Sequence, residues 1–426
     1  MLNPSKRNIT VLTSFDRISL FHTLKPFLFS NPLRRGAFHF KLMDSVDEVL
    51  GRDRNRNLLV LRLPKVRDVE PVDIMQALRV KYRRVVFYND GAAAGTNNFE
   101  FLPYVDRFIV KSMFRDRSQY LRPLYRNRLF TDYYHRMLGV TDPDLEEPSA
   151  TDGAAADAGA GTAAGVPSGA AAEVPAGAES AQGVVKPEEL EKLRLGWNIG
   201  VGDFPREDLR QRAGVFTART VHPKLARLFF RNRMPEFMDP GEMPGDHGTS
   251  DGGAAAGVGL GAGGSAAGAS MQARDIPVHA RLGTLPAPSV NRQREIFLGM
   301  IDGDPRFVTG RAPKKQYDGE MRRAMITLSP FGWGEVCFRD FEAVFAGTLL
   351  LKPDMSHIET WPDIYRPGET YVPLSWDGDD LLERVDYYLA HPREGEEIAR
   401  NAQEVFRQAV GQMRERFNAV MEEAFG

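Results

Sequence analysis

Apolar positions along the chain fall into two kinds of segment. Short runs rich in β-branched and large aliphatic residues predict buried parallel strands: Ile9–Ser14 (ITVLTS), Ala37–Met43, Asn57–Leu63 (NLLVLRL), Arg84–Tyr88 (RVVFY) and Arg107–Val110 (RFIV). Between them, Asp16–Phe29 and Pro71–Val80 place apolar residues every three or four positions and predict helices. After residue 270 the alternation resumes. Ile276–Arg281, Arg306–Thr309, Ala324–Ser329, Thr348–Leu351 and Thr370–Leu374 predict strands, the last an edge strand. Asn291–Ile301, Lys314–Arg323, Phe338–Phe345 and Asp379–Leu389 predict the helices between them. From about Glu394 one long helix is expected, its apolar stripe running through Ile398, Ala402, Val405, Ala409, Met413, Phe417 and Val420. Strands alternating with helices twice over predict two parallel α/β layers.

Two stretches break the pattern. Residues 150–183 hold 21 Ala or Gly in 34 positions, and residues 249–270 hold 15 in 22. Neither has enough large apolar side chains to offset the entropy of ordering, so both are expected to be disordered insertions. They also change the charge arithmetic. The whole chain of 426 residues has 55 bases and 57 acids. The two stretches hold five acids and no base, so the remaining 370 residues carry 55 bases against 52 acids, a net +3. The expected division is an N-terminal domain over 1–200, a connecting region over 201–271 and a C-terminal domain over 272–426 that includes the final helix. The connecting region contains an Arg-rich apolar stretch, Ala218–Met234.

The single Cys337 excludes an internal disulfide and any multi-cysteine metal site. No stretch reaches the roughly 20 apolar residues needed to span a bilayer. The apolar run Ile9–Phe15 is at the short limit for a signal peptide and lacks a small-residue cleavage site. A soluble, cytoplasmic protein is therefore the expectation.

The segment from Leu328 to Ser375 carries the chemistry. A strand ends at Ser329-Pro330, and a loop follows, Phe331-Gly332-Trp333-Gly334. A helix is expected to open near Glu335–Arg339 and to stop at Ala346-Gly347 before the next strand. Glycines let a backbone approach a ligand, and a helix N-terminus favours an anion such as a diphosphate. In an open parallel sheet, ligands sit beyond the carboxyl ends of the strands, where Gly332–Glu335 would lie. Carboxylates there can accept hydrogen bonds from sugar hydroxyls. The plain readings are equally definite: Glu342 as a solvated helix residue, Glu335 as a first-turn acid complementing the helix dipole, Trp333 as a packed loop aromatic, and Arg339 as half of a surface ion pair.

The run Glu342-Ala343-Val344-Phe345-Ala346-Gly347, followed by Thr348–Pro353 (TLLLKP), resembles the donor-binding segment of GT-B glycosyltransferases. The spore-coat-type and exostosin-like members are the most similar in pattern. The resemblance covers about 275–410 and extends to 1–140 only as a general α/β pattern. It implies two Rossmann-like domains facing a cleft, and sugar transfer from a nucleotide-sugar donor to an acceptor hydroxyl on a glycan, protein or lipid. The donor is a substrate; no cofactor and no metal are implied. It also implies residue roles. Glu342 would hold the nucleotide ribose, and Glu335 would face the donor sugar as the catalytic carboxylate. Arg281, Gly332, Trp333, Gly334, Arg339 and Lys352 would line the donor site, with Arg292, Arg294, Lys314 and Lys315 as further bases. Six residues separate Glu335 from Glu342, where the common retaining subgroup has seven. The stereochemical outcome stays open.

Other motifs have plainer readings. Asp302-Gly303-Asp304 and Asp377-Gly378-Asp379-Asp380 could bind a metal–nucleotide complex, but read as turns, the second with a helix N-cap. Gly91-Ala92-Ala93-Ala94-Gly95 lacks the Lys-Ser/Thr of a P-loop and is expected to face the interdomain cleft. His22, His39 and His135 are lone histidines. Residues 101–140 hold eight bases, three acids and five interleaved tyrosines. That composition suits a carbohydrate- or nucleic-acid-binding surface, the competing reading, or a solvated helical face beside a cleft.

Overall fold

The computed structural model describes residues 7–29, 38–95, 98–143, 184–204, 209–229, 237, 240, 271 and 274–426. The two Ala/Gly-rich stretches lie outside the described residues. Two parallel sheets organise the rest. The first has strand order β2-β1-β3-β4-β5-β7. Its members are β1 Arg7–Leu12, β2 Phe38–Met43, β3 Asn57–Val60, β4 Arg84–Asn89, β5 Arg107–Val110 and β7 Leu193–Leu195. The second runs β13-β11-β10-β8-β9, from β8 Ile276–His279, β9 Phe307–Val308, β10 Ala324–Leu328, β11 Leu349–Pro353 and β13 Val372–Leu374. The β-branched and leucine-rich runs become strands because sheets covered on both faces bury every residue of a central strand. All five residues of β10 and of β11 are buried.

The helices of the first half are α1 Lys25–Phe29, α2 Val46–Arg52, α3 Pro71–Lys81, α4 Leu129–Leu138 and α5 Leu209–Thr220. Those of the second are α6 Pro288–Met300, α7 Lys314–Arg323, α8 Phe338–Ala346, α9 Leu381–Ala390, α10 Pro392–Gly411 and α11 Met413–Phe425. The helical pattern of Asp16–Phe29 is realised as two pieces, a π-helical turn at Ser19–Thr23 and then α1, with Pro26 unable to donate a backbone bond across the join.

One long final helix was expected, placed with the second half. It is instead two helices that meet at Gln412. The first packs on β11 and α8. The second crosses back: Phe417, Val420, Met421, Ala424 and Phe425 bury among Ile9, Val11, Phe27 and Phe40 of the first half. The break lets each apolar stripe face a different core.

A third, two-stranded antiparallel sheet joins β6 Ser112–Phe114 to β12 Ile358–Thr360, directly tying the two halves together. Among the described residues, no helix is long and apolar enough to cross a membrane.

Candidate functional site

The loop after β10 meets the loop after β4. Gly332 N–H donates to the Gly334 carbonyl at 3.0 Å, closing a tight turn. A Cβ on Gly334 would lie 1.8 Å from the Ala92 carbonyl oxygen. The Gly91–Gly95 loop thus faces the other half, and Gly334 is small because protein backbone occupies the space beside it. A Cβ on Gly332 would meet Arg294 Nη2 at 3.3 Å, close enough that the guanidinium would have to give by a few tenths of an ångström. Trp333 accepts from Arg128 Nε at 2.7 Å through its carbonyl, and the Arg128 guanidinium sits 5.9 Å from its ring.

Glu335 is fully buried in this junction. Its Oε2 accepts the Ala94 N–H at 3.1 Å. Its Oε1 has no hydrogen-bond partner among the described residues and lies 3.8 Å from His357 Nε2. The helix opens at Phe338 with Cys337 as N-cap, within the expected Glu335–Arg339, so Glu335 stands outside its first turn. The dipole-complementing acid is Asp340, which accepts the Cys337 N–H at 2.8 Å. His357 also lines a cavity of about 380 Å³, shared with Arg115, Asp116, Gln119 and Leu129 of the first half and Ser356 of the second.

Asp340 also pairs with Lys352, which was expected to line the donor site. The Lys352 ammonium is fully buried and lies 3.1 Å from the Asp340 carboxylate. Asp340 further accepts from Ser329 Oγ at 2.6 Å and Tyr365 OH at 2.7 Å. Lys352 lies over the Phe331 and Tyr365 rings. A base so enclosed anchors strand to helix. Burial, then the nearby Asp340 carboxylate, pushes the Tyr365 hydroxyl well above the ordinary tyrosine range.

A second cluster gathers at the carboxyl end of β8, between α7 and α8. Glu342 is mostly buried, and its carboxylate accepts from Tyr317 OH at 3.2 Å and faces Lys314 Nζ at 3.5 Å. Arg281 forks onto Glu320 at 2.8 and 2.6 Å and also donates to the Thr309 carbonyl. That fork holds the Glu320 carboxyl below its usual range. Arg339 donates to the Arg281 carbonyl at 3.2 Å. His279 is fully buried here, edge-on to Tyr317 at 4.7 Å, and neither ring nitrogen has a hydrogen-bond partner among the described residues. Burial, reinforced by the Arg339 and Arg281 cations, pushes its pKa down to about 4.

The structure therefore brings Glu342, Arg281 and Arg339 together. It sets Glu335, Gly334 and Trp333 in a separate junction and removes Lys352 to the core. Of the secondary bases, Arg294 holds the site loop, donating to the Phe331 carbonyl at 2.9 Å and the Gly283 carbonyl at 2.5 Å. Arg292 pairs with Glu295 on its own helix, and Lys314 also pairs with Asp318.

Residue-by-residue reading missed His279, Tyr317, Asp340, His357 and Lys111. His279 had a signal, since it closes a predicted strand. Lys111 follows β5, donates to the Asp90 carbonyl at 3.2 Å, and has its pKa lowered by burial. Asp90 pairs with Arg62 at 2.5 Å, and Arg62 with Asp16 at 2.7 Å. These four charged groups lie beyond the carboxyl ends of β1, β3, β4 and β5. They are one network whose members are far apart in sequence.

Other motifs resolve into structure. Asp304, just after the left-handed Gly303, pairs with Arg306, and Asp380 accepts the Ser375 N–H at 2.9 Å. Among the described residues, no three His, Cys, Asp or Glu side chains converge to hold a metal. His135 stacks on Tyr125 at 4.0 Å, and His22 Nδ1 lies 3.1 Å from the Ile199 carbonyl. The bases of 101–140 are engaged within the protein: Arg117 with Glu359, Arg122 and Arg136 with Asp132, Arg126 with Asp142, and Arg115 with the Ser356 carbonyl.

Residues 294–421 match the family model described as glycosyl transferase-like. No curated protein matches the chain. Among solved structures, the chain is similar to Anabaena Alr3699/HepE in complex with UDP-glucose, at 9% identity and TM-score 0.36, covering 98% of this chain and 99% of that one. It is also similar to sucrose-phosphate synthase (tll1590) from Thermosynechococcus elongatus, at 10% identity and TM-score 0.41, covering 99% of each. A third is an alpha-glucosyltransferase in complex with UDP-glucose and DNA containing an abasic site, at 9% identity and TM-score 0.40, covering 95% of this chain and 96% of that one.

Proposed function

We propose that the protein is a GT-B-like glycosyltransferase that moves a sugar from a nucleotide-sugar donor to an acceptor hydroxyl. The observation that carries this reading is the position of Glu342. It lies inside the family-matched residues 294–421, near the carboxyl end of a parallel sheet, with Tyr317, Lys314, Arg281, Arg339 and His279 around it. A carboxylate there accepts ribose hydroxyls, and the adjacent cations counter the charge of a diphosphate.

The sugar would lie toward the junction of the halves. There Oε1 of Glu335, unpartnered among the described residues, and the imidazole of His357 would supply polar groups. The acceptor would enter from the first half, against the Asp16–Arg62–Asp90–Lys111 network. In this reading, bases and oriented donors stabilise the leaving diphosphate without a resident metal. Assignment to the spore-coat-type or exostosin-like group rests on the Glu342–Gly347 pattern.

The test is titration calorimetry with UDP and GDP, followed by a screen of nucleotide sugars for hydrolysis. At least one nucleoside diphosphate should bind, and Glu342→Gln should weaken it about tenfold, the value of one or two good hydrogen bonds. Failure of every nucleotide to bind would sink the reading. Hydrolysis abolished by a chelator would remove the metal-independent part of it.

A further inference from the structure

The Arg-rich apolar stretch of the connecting region takes no part in the site described above. Between Leu209 and Phe229 the chain has five bases and no acid. It forms α5 and a following 3₁₀ turn at Pro223–Phe229 that packs against it. Gln211, Gly214 and Ala218 form the buried side of α5; a Cβ on Gly214 would lie 2.6 Å from the Phe21 ring. The opposite side is unusual. Leu209, Phe216 and Leu228 are 81%, 68% and 72% exposed, and Val221 is as open as Phe216. Scattered single apolar residues on a surface need no explanation, but a concentration within 21 residues does. Arg212 and Arg219 are exposed on the same helix, while Arg210 is paired with Asp203.

We propose that this face docks the protein on an anionic lipid bilayer. Large apolar side chains beside arginines, with no acid in the segment, match the two attractions at such a surface: burial at the headgroup boundary and neutralisation of lipid charge. A second protein copy would have to supply acids to meet these bases, and residues 209–229 carry none of their own. The placement suits access to the cleft. Arg219 Nε donates to the Phe15 carbonyl at 2.9 Å, directly beside Asp16 of the first-half network. Docking here would bring that network close to the bilayer. The proposal stands on the surface alone and does not depend on the sugar-transfer reading.

Flotation of the full chain with phosphatidylcholine vesicles, with and without phosphatidylglycerol, tests it. The protein should float with the anionic vesicles only, and less as salt rises. Leu209→Ser combined with Phe216→Ser should weaken that partition at least about tenfold, and Arg212→Glu should also weaken it, both with unchanged circular dichroism. Absence of flotation, equal flotation with neutral vesicles, or variants that bind like the parent chain would overturn the proposal. So would light scattering that shows a dimer dissociated by Phe216→Ser, or oligonucleotide binding at this face that outcompetes vesicles. Nucleotide calorimetry on the same samples separates failure here from failure of the glycosyltransferase reading.

Discussion

Gly334 of one half touches Ala92 of the other so closely that a Cβ at 334 would stand 1.8 Å from the Ala92 carbonyl oxygen. The glycine therefore sets how near the loops after β4 and β10 can come. Backbone cannot yield as a flexible side chain can. Gly334→Ala should push the loops apart and break the Ala94–Glu335 hydrogen bond. Nucleotide-sugar hydrolysis is expected to fall at least about tenfold, since small displacements of positioned groups are costly. Small-angle scattering should show an enlarged particle. An unchanged particle with unchanged turnover would refute the assignment.

Among the described residues, the Glu335 carboxylate makes one hydrogen bond through Oε2, to Ala94 N–H, and leaves Oε1 unpartnered. Glu335→Gln keeps an acceptor for Ala94 and removes the charge. If Glu335 faces the donor sugar, the variant should lose roughly a hundredfold in kcat while UDP affinity stays within about threefold. A purely structural role predicts lowered Tm with kcat and KM preserved. The two outcomes are separable in one preparation.

Asp340 and Lys352 form a fully buried ion pair. Removing one partner strands a charge in the core, so Asp340→Ala should cost about 3–5 kcal/mol, read as a fall in the urea midpoint. Replacing Lys352 as well, as Asp340→Ala with Lys352→Met, should recover the part of that loss due to the stranded ammonium, while the Cys337, Ser329 and Tyr365 donors stay without their acceptor. A double variant no more stable than Asp340→Ala would show that the stranded charge is not what costs stability.

His279 is held neutral, its pKa lowered from 6.5 to about 4. The unfolded chain takes up a proton at this position as pH falls through about 6.5, while the folded chain does not until about 4. Between those values the unfolded state binds more protons, so stability rises with pH across the window and levels off above it. The effect is of order 3 kcal/mol. Chemical denaturation near pH 5 and near pH 7.5 should show His279→Phe much less sensitive to pH than the parent chain. Equal sensitivity would place the titrating group elsewhere.

Apart from β7 Leu193–Leu195, which no apolar run predicted, the parallel strands of both halves were legible because a strand buried on two faces leaves a continuous apolar run. The helices α3, α6, α7, α8 and α9 were legible through their three-or-four-residue spacing, whereas α2, α4 and α5 were not predicted. Strands β6 and β12 were not. Each has three residues, too few for any period, and they exist by pairing with each other across about 240 positions of chain. The kink at Gln412 was hidden for a related reason. A single apolar stripe can face two cores, and only the packing of Phe417 on Phe27 and Phe40 shows which.

The local sequence determined the alternation of strand and helix, the loop that opens after β10, and the Glu342-to-Gly347 pattern that points to a nucleotide sugar. These depend on neighbours three or four positions away. Tertiary structure alone decided which charged groups remain available to a ligand. Lys352 and Arg281 look alike in sequence as candidate phosphate bases. One is sealed in the core by Asp340, and the other is forked onto Glu320 at the edge of the Glu342 cluster. A charge's availability depends on the groups that surround it in space, and those groups come from distant parts of the chain.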